Sequence, residues 1–379
     1  MIPFNRPYIS GKEIENISQA IESRKLSGDG MFTKKCQAWF ETEYGFYKTL
    51  LTTSCTDALE MSAILLNIRM NDEVILPSYT FVSTANAFAL RGARLVFADS
   101  KSDHPNIDPN EIERLITPRT KAIVVVHYAG VACDMDKILA LSQEYKIPVI
   151  EDAAQAIGSS YKGVALGSFG ALATFSFHET KNIVCGEGGL LAINSSEYAL
   201  RAEVIREKGT NRSSFFRGEV DKYGWVDIGS SFLPSDILAA FLYGQIEVMP
   251  QIQRERLRVW NRYDKNFKNA NVHKYLGLPN IPSYATNNAH MYYLVCRNLN
   301  ERTHLIEKLK KNGVSAVFHY LSLHSSPFYS AQHDGRELRN SDKYTDCIVR
   351  LPMFAELTDE QVDYISELIV SFCSEICTF

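Results

Sequence analysis

No CxxC pair and no HExxH occurs among the 379 residues of this chain, although it carries eight cysteines and nine histidines. Structural zinc sites and metalloprotease centres need such spacings, so no metal site is expected. The cysteines, at 36, 55, 133, 185, 296, 347, 373 and 377, form no cluster and are read as reduced. Cys373 and Cys377 stand four apart, which suits one helical face. Long apolar runs are missing too. Stretches such as Ala122 to Val126 are far too short to span a bilayer, and the opening MIPFNRPYISGKE has no apolar signal core, so a cytoplasmic protein without membrane association is expected. Positive charge is not in excess: the formal net charge is -4, which argues against general nucleic-acid binding. There is no internal repeat, no low-complexity segment, and no GxGxxG after the first expected strand, which speaks against a dinucleotide-binding fold.

What is present is an ordinary globular composition, with 45% apolar and 22% charged residues, on a chain long enough for a large domain plus a smaller one. From Thr49 to Asn194 short apolar runs alternate with helical patterns, which indicates βαβ units and a mostly parallel sheet. Strands are expected at Thr49 to Thr52, Glu73 to Leu76, Arg94 to Ala98, Lys121 to Val126 and Ala173 to Phe177. Helices are expected at Lys12 to Ser23, Phe32 to Glu43, Ala58 to Leu66, Ser196 to Lys208, Asp236 to Val248 and Arg254 to Lys268. A second region after Pro250 should hold strands at Met291 to Cys296 and Val314 to Phe318, with helices at Arg302 to Lys311 and from Glu360 to about Phe372.

The chemistry concentrates between Ile147 and Gly189. The run Pro148-Val149-Ile150-Glu151-Asp152 reads as a buried parallel strand delivering Asp152 at its C-terminal edge, where open α/β sheets bind ligands. A second strand ends shortly before Lys181, ahead of the glycine-rich Gly186-Glu187-Gly188-Gly189. An acid after a strand is common, and a lone lysine before a turn is usually solvated. Here both converge on one mouth, together with Gln155 and Ser176. An amine for a Schiff base and a carboxylate for a pyridinium nitrogen are what pyridoxal phosphate requires.

Other segments read two ways. Thr53-Ser54-Cys55-Thr56-Asp57 opens a helix whose N-terminus could hold a phosphate through backbone N–H groups, or could simply be capped by Ser54 or Thr56. Tyr79 and Phe81 suit either a core or a platform at the sheet edge. His127 suits a strand-end histidine satisfied by a backbone group. Gly209 to Asp227 has no period and is long for a structureless loop. Its Arg212, Arg217, Lys222, Tyr223 and Trp225 suit a nucleotide diphosphate, or merely a solvated lid. In His319-Tyr320-Leu321-Ser322-Leu323-His324, the two histidines on their own read as structural more often than catalytic.

The combination EDAAQ, SFHETKN and GEGG resembles the sugar aminotransferases of the fold type I pyridoxal phosphate superfamily, and the similarity extends from IPFNRPYI to LPMF. It implies an α/β fold with a mostly parallel seven-stranded sheet between helices in residues 1–250, and a smaller α+β domain in 251–379. It also implies Lys181 as the Schiff-base lysine, Asp152 as the pyridinium partner and Gln155 as the contact to the ring hydroxyl. Phe81 would stack on the ring, and Ser54, Cys55, Thr56 and Ser176 would hold the phosphate. Arg212, Lys222, Tyr223, Trp225, His319, Tyr320 and His324 would meet the substrate. The expected substrates are glutamate and a nucleotide-linked keto-sugar, dTDP-4-keto-6-deoxyglucose aminated at C4 to the galacto product. Alternatives are a 3-keto isomer, the gluco epimer, a dehydratase, in which a histidine replaces the lysine, or a non-catalytic regulator. A homodimer with shared active sites is implied. One departure stands out: many relatives have a phosphate-binding asparagine from the other subunit where this chain has Ser231.

Overall fold

In the computed structural model of the protein, residues 1–376 are described, so Cys377 lies outside the described residues. The chain begins with helices α1 (Lys12–Glu22) and α2 (Met31–Tyr44), followed by strand β1 (Lys48–Thr52) and α3 (Cys55–Leu65). It continues through β2 (Glu73–Pro77), α4 (Val82–Ala89), β3 (Arg94–Ala98), α5 (Pro109–Leu115), β4 (Thr120–Val126), α6 (Met135–Tyr145) and β5 (Val149–Asp152). A small hairpin, β6 (Ser160–Tyr161) and β7 (Val164–Ala165), precedes β8 (Leu172–Ser176), β9 (Gly189–Ile193), α7 (Ala199–Arg206) and α8 (Arg212–Phe216). The remainder is α9 (Asp236–Glu247), α10 (Met249–Asn269), β10 (Tyr293–Val295), α11 (Leu299–Lys311), α12 (Arg339–Cys347), β11 (Ile348–Arg350) and α13 (Asp359–Ile376).

Seven strands form one sheet in the order β1-β9-β8-β5-β4-β2-β3. The pairs among β3, β2, β4, β5 and β8 are parallel, while β9 runs antiparallel to both β8 and β1. Neighbouring residues on each strand point to opposite faces. Leu51, Ile75, Ile123, Val125, Val149 and Leu190 therefore enter one apolar core, and Leu50, Val74, Leu76, Val124, Ile150 and Leu191 the other. Burial on both faces explains why these strands read as continuous apolar runs. Because the central strands are parallel, their C-terminal ends share one edge, at Pro77, Val126, Asp152 and Ser176.

A third core surrounds the two-stranded sheet of β10 and β11 and takes in Val259, Tyr263, Leu305, Val349 and Ile369. Helix α10 spans both regions: Ile252 packs into the core of the large sheet, and Val259 and Phe267 into the third. No helix among the described residues is long and apolar enough to cross a membrane.

The second region departs most from expectation. Val314 to Phe318 forms no strand, because its bridges change sides: Val314 meets Ile2, and Val317 meets Arg350. Helix α12 and strand β11 were not expected. Helix α12 is mostly polar, and its buried stripe consists of Ser341, Tyr344 and Cys347, so it has no strong apolar period. In the irregular 209–227 segment, a short helix forms at α8. Arg217 pairs there with Glu203 and Glu219, and the Gly224 N–H donates to Asn211 Oδ1 at 2.8 Å.

Candidate active site

The shared strand edge opens into a cavity of about 540 Å³ between the large sheet and the second region. Asp152 enters it from the end of β5 and is buried. The Thr84 hydroxyl donates to its Oδ2 at 2.7 Å, and the Ala154 N–H to its Oδ1 at 3.2 Å. Burial pushes the carboxyl up, against those two donors, Lys181 and His127. A cationic ring nitrogen beside it would reverse that balance, because an opposite charge favours the carboxylate.

Lys181 lines the same cavity from the turn after β8, where its N–H donates to the His178 carbonyl at 2.9 Å. Burial pushes its amine down; Cys55 and Asp152 oppose this shift, and the Arg350 cation reinforces it. An amine moved toward neutrality is one able to act as a nucleophile or a base.

Ser54, Cys55 and Thr56 lie at the start of α3. The Ser54 hydroxyl caps the helix by accepting from the Asp57 N–H at 3.0 Å, so the capping alternative is realised. Capping does not remove the second reading. The Cys55 and Thr56 N–H groups, first in the helix, have no intrahelical acceptor and remain available to an anion. Thr56 donates to the Ser83 hydroxyl at 2.8 Å, and both residues line the cavity with Ser176. Gly189 lies close beneath: a Cβ there would stand 2.4 Å from the Cys55 nitrogen. Gly189 is thus needed for the close approach of β9 to this helix end.

Phe81 precedes α4 at the mouth, 53% exposed, with its ring 5.9 Å from that of Tyr320. Gln155 Oε1 accepts from the Ala129 N–H at 2.7 Å, and its Nε2 donates to the Tyr320 hydroxyl at 3.2 Å. His319 and Tyr320 complete the opposite wall. A buried carboxylate, a desolvated lysine, an open helix N-terminus and an aromatic at the mouth fit pyridoxal phosphate. Lys181, Asp152, Gln155, Phe81 and the Ser54–Thr56 turn with Ser176 would hold it.

The remaining candidates are not brought to this cavity within one chain. Arg212 lines a separate groove of about 1190 Å³ together with Lys25, Lys48, Arg217 and Ser231. Tyr223 and Trp225 are exposed, Trp225 at 84%, and they line neither space, nor does Lys222. His324 is held behind the wall, its Nδ1 2.7 Å from the Ser78 hydroxyl and its Nε2 3.6 Å from Asp342. His127 is fully buried. Its Nδ1 accepts the Cys133 N–H, as a strand-end histidine would, but its Nε2 faces the Glu151 carboxylate at 2.9 Å.

Sequence reasoning missed Arg350, His290, His178 and Phe4, all of which line the cavity. Phe4 and Arg350 are distant in sequence from the Ile147 to Gly189 stretch that carries the chemistry, and β11 itself was not foreseen. His290 is held by Asn182 of the SFHETKN motif, whose Oδ1 lies 2.9 Å from His290 Nδ1.

Comparison with known proteins agrees with this geometry. The model of the DegT/DnrJ/EryC1/StrS aminotransferase family matches residues 7–370. An uncharacterized protein of Methanocaldococcus jannaschii is 32% identical over 99% of this chain and 98% of its own length. A Streptococcus pneumoniae chain described as a sugar aminotransferase, solved in its PMP form, superposes with a TM-score of 0.91. It is 25% identical, over 99% of this chain and 100% of that one. Helicobacter pylori PseC, an aminotransferase involved in the biosynthesis of pseudoaminic acid, gives a TM-score of 0.90 at 25% identity, over 98% and 99% of the two chains.

Proposed function

We propose a specific reaction for this chain, which belongs to the DegT/DnrJ/EryC1/StrS aminotransferase family and is a pyridoxal phosphate-dependent enzyme: transfer of an amino group from glutamate to C4 of a nucleotide-linked keto-sugar. The observation that carries the reading is the meeting of Lys181 and Asp152 in one cavity, beside the open N-terminus of α3. Bound there, pyridoxal phosphate supplies the electron sink that lets an amino group pass between an amino acid and a ketone. Lys181 Nζ, moved toward neutrality by burial, takes up and returns the proton. Asp152, held by the Thr84 hydroxyl on Oδ2, would pair with the ring nitrogen and keep its proton in place.

A sugar substrate is supported by the pneumococcal and Helicobacter relatives, whose descriptions name a sugar and a pseudoaminic acid pathway. The sugar we propose is dTDP-4-keto-6-deoxyglucose. Its support is the segment KGTNRSSFFRGEVDKYGWVDIGSSFLPSD, residues 208–236, which resembles the dTDP-4-amino-4,6-dideoxygalactose transaminase. The 209–227 segment serves the nucleotide in a homodimer, reaching the cavity of a second copy. Its exposed Tyr223 and Trp225, and their distance from the cavity of their own chain, support that arrangement.

The deciding experiment incubates the purified protein with pyridoxal phosphate, glutamate and a panel of nucleotide keto-sugars, and identifies the product by proton NMR. A small H3–H4 coupling identifies an axial C4 amine and the galacto product. A large coupling identifies the gluco epimer, and an amine at C3 overturns the regiochemistry.

A further inference from the structure

Arg350, the last residue of β11, is buried in the wall of the reaction cavity with 7% of its surface exposed, and its Nη1 lies 2.7 Å from His319 Nδ1. A guanidinium has five donors and no acceptor. The contact is therefore a hydrogen bond only if His319 Nδ1 presents its lone pair, which leaves the proton of the neutral ring on Nε2.

The ring is also held in place. The hydroxyls of Tyr79 and Tyr128 both donate to the His319 carbonyl. The imidazole stacks on Tyr320 at 5.3 Å and 16°, and meets Phe4 edge-on at 6.2 Å. The Arg350 guanidinium in turn covers the Phe4 ring at 5.0 Å. Turning the imidazole over would put Cδ2 in the place of Nδ1 and strand a buried cation without that acceptor.

We propose that Arg350 is a positioning residue that locks His319 in the Nε2–H tautomer, so that His319 serves the cavity as a neutral hydrogen-bond donor and not as a base. This rests on reading the cavity as the transamination site. The charged and titratable groups around the imidazole are Arg350 from β11, Lys181 from the turn after β8, and Tyr79, Tyr128 and Tyr320. Asp152, Glu187, His178 and His290 line the rest of the cavity. No carboxylate is within ion-pair distance of His319 among the described residues. Burial, then the Arg350 and Lys181 cations, push its pKa down to about 4. A neutral donor at this wall suits an oxygen of the bound substrate.

The test is long-range ¹⁵N–¹H NMR of the imidazoles in the full chain, with and without pyridoxal phosphate, using His319→Gln to assign the signal. In the unaltered protein His319 should show a protonated Nε2 and a bare Nδ1, with no titration between about pH 5 and 8. In Arg350→Met its pKa should rise above about 4, with burial and Lys181 still holding it below the ordinary value, and both tautomers should be populated. Arg350→Lys, which retains a cation and a donor, should keep the original pattern. The sugar half-reaction of Arg350→Met should also gain an acid limb at the new His319 pKa. A proton on Nδ1, a titration within that window in the unaltered protein, or an unchanged pattern in Arg350→Met overturns the proposal. If Arg350→Met does not fold, the spectrum of the unaltered protein decides alone. No substrate enters the NMR measurement, so absent transamination with the expected tautomer would count against the functional reading only.

Discussion

Glu151 and Asp152 are consecutive residues of β5, yet their carboxylates have opposite surroundings. Glu151 points into the large-sheet side and accepts from the N–H groups of Gly167, Phe169 and Gly170 and from His127, two donors on each oxygen. Asp152 points into the cavity and, among the described residues, its side chain accepts from Thr84 and Ala154. The alternation of side chains along a strand separates them, so one acid is structural and its neighbour is left for chemistry.

Glu151→Gln should therefore damage stability more than chemistry. An amide can accept at one atom only, so two of the four donors would face an NH₂ group. Leaving buried donors unsatisfied costs about 1–3 kcal/mol each. Urea unfolding should show a lower midpoint, and an unchanged midpoint would mean that these hydrogen bonds contribute nothing net.

Asp152→Asn should do the reverse. The isosteric amide can keep the Thr84 contact while giving up the one weaker contact to the Ala154 N–H, which the fold tolerates, but it cannot hold a proton on a ring nitrogen. We expect near-normal unfolding and bound cofactor, with turnover reduced at least about 100-fold, the scale of a positioned acid–base group. A rate close to that of the unaltered protein would make Asp152 an ordinary strand-end acid.

Lys181→Ala should abolish turnover and covalent attachment of the cofactor. Borohydride reduction followed by peptide mass spectrometry reads this directly: the label belongs on the Lys181 peptide of the unaltered protein and on no peptide of the variant. A labelled lysine elsewhere would sink the assignment.

Arg212→Ala or Lys222→Ala should raise the KM for the sugar nucleotide and spare the half-reaction with glutamate. Stopped-flow absorbance of the two half-reactions separates them. Equal damage to both would place the 209–227 segment at the cofactor.

The acid side of the stability profile should involve His104, which is buried and accepts the Asn106 N–H on Nδ1 at 3.1 Å. Burial pushes its pKa down to about 3 from an ordinary value near 6.5. Between those values the unfolded chain binds a proton that the folded chain refuses, so stability is full above about pH 6.5 and is lost as the pH falls toward 3. At about 1.4 kcal/mol per pKa unit the contribution is a few kcal/mol. His104→Asn keeps an acceptor for Asn106 and removes the titration. Its unfolding midpoint should fall less between pH 6.5 and 4, and an identical slope would refute the assignment.

The sequence by itself determined the large sheet and the strand-edge side of the cavity. Those strands are buried on both faces and so are written as apolar runs, and Asp152, Gln155, Ser176 and Lys181 sit at fixed short distances from their ends. The turn 53–57 is likewise local, and its helix N-terminus is legible wherever a strand meets Ser-Cys-Thr-Asp. Only the tertiary structure decided the opposite wall. Arg350, His290 and Phe4 reach the cavity through long-range packing of the second region, and α12 and β11 carry too little apolar period to announce themselves. The fate of Glu151, the pairing of Arg350 with His319, and the separation of Arg212 and Trp225 from their own chain's cavity are likewise contacts between distant segments, which no local pattern encodes.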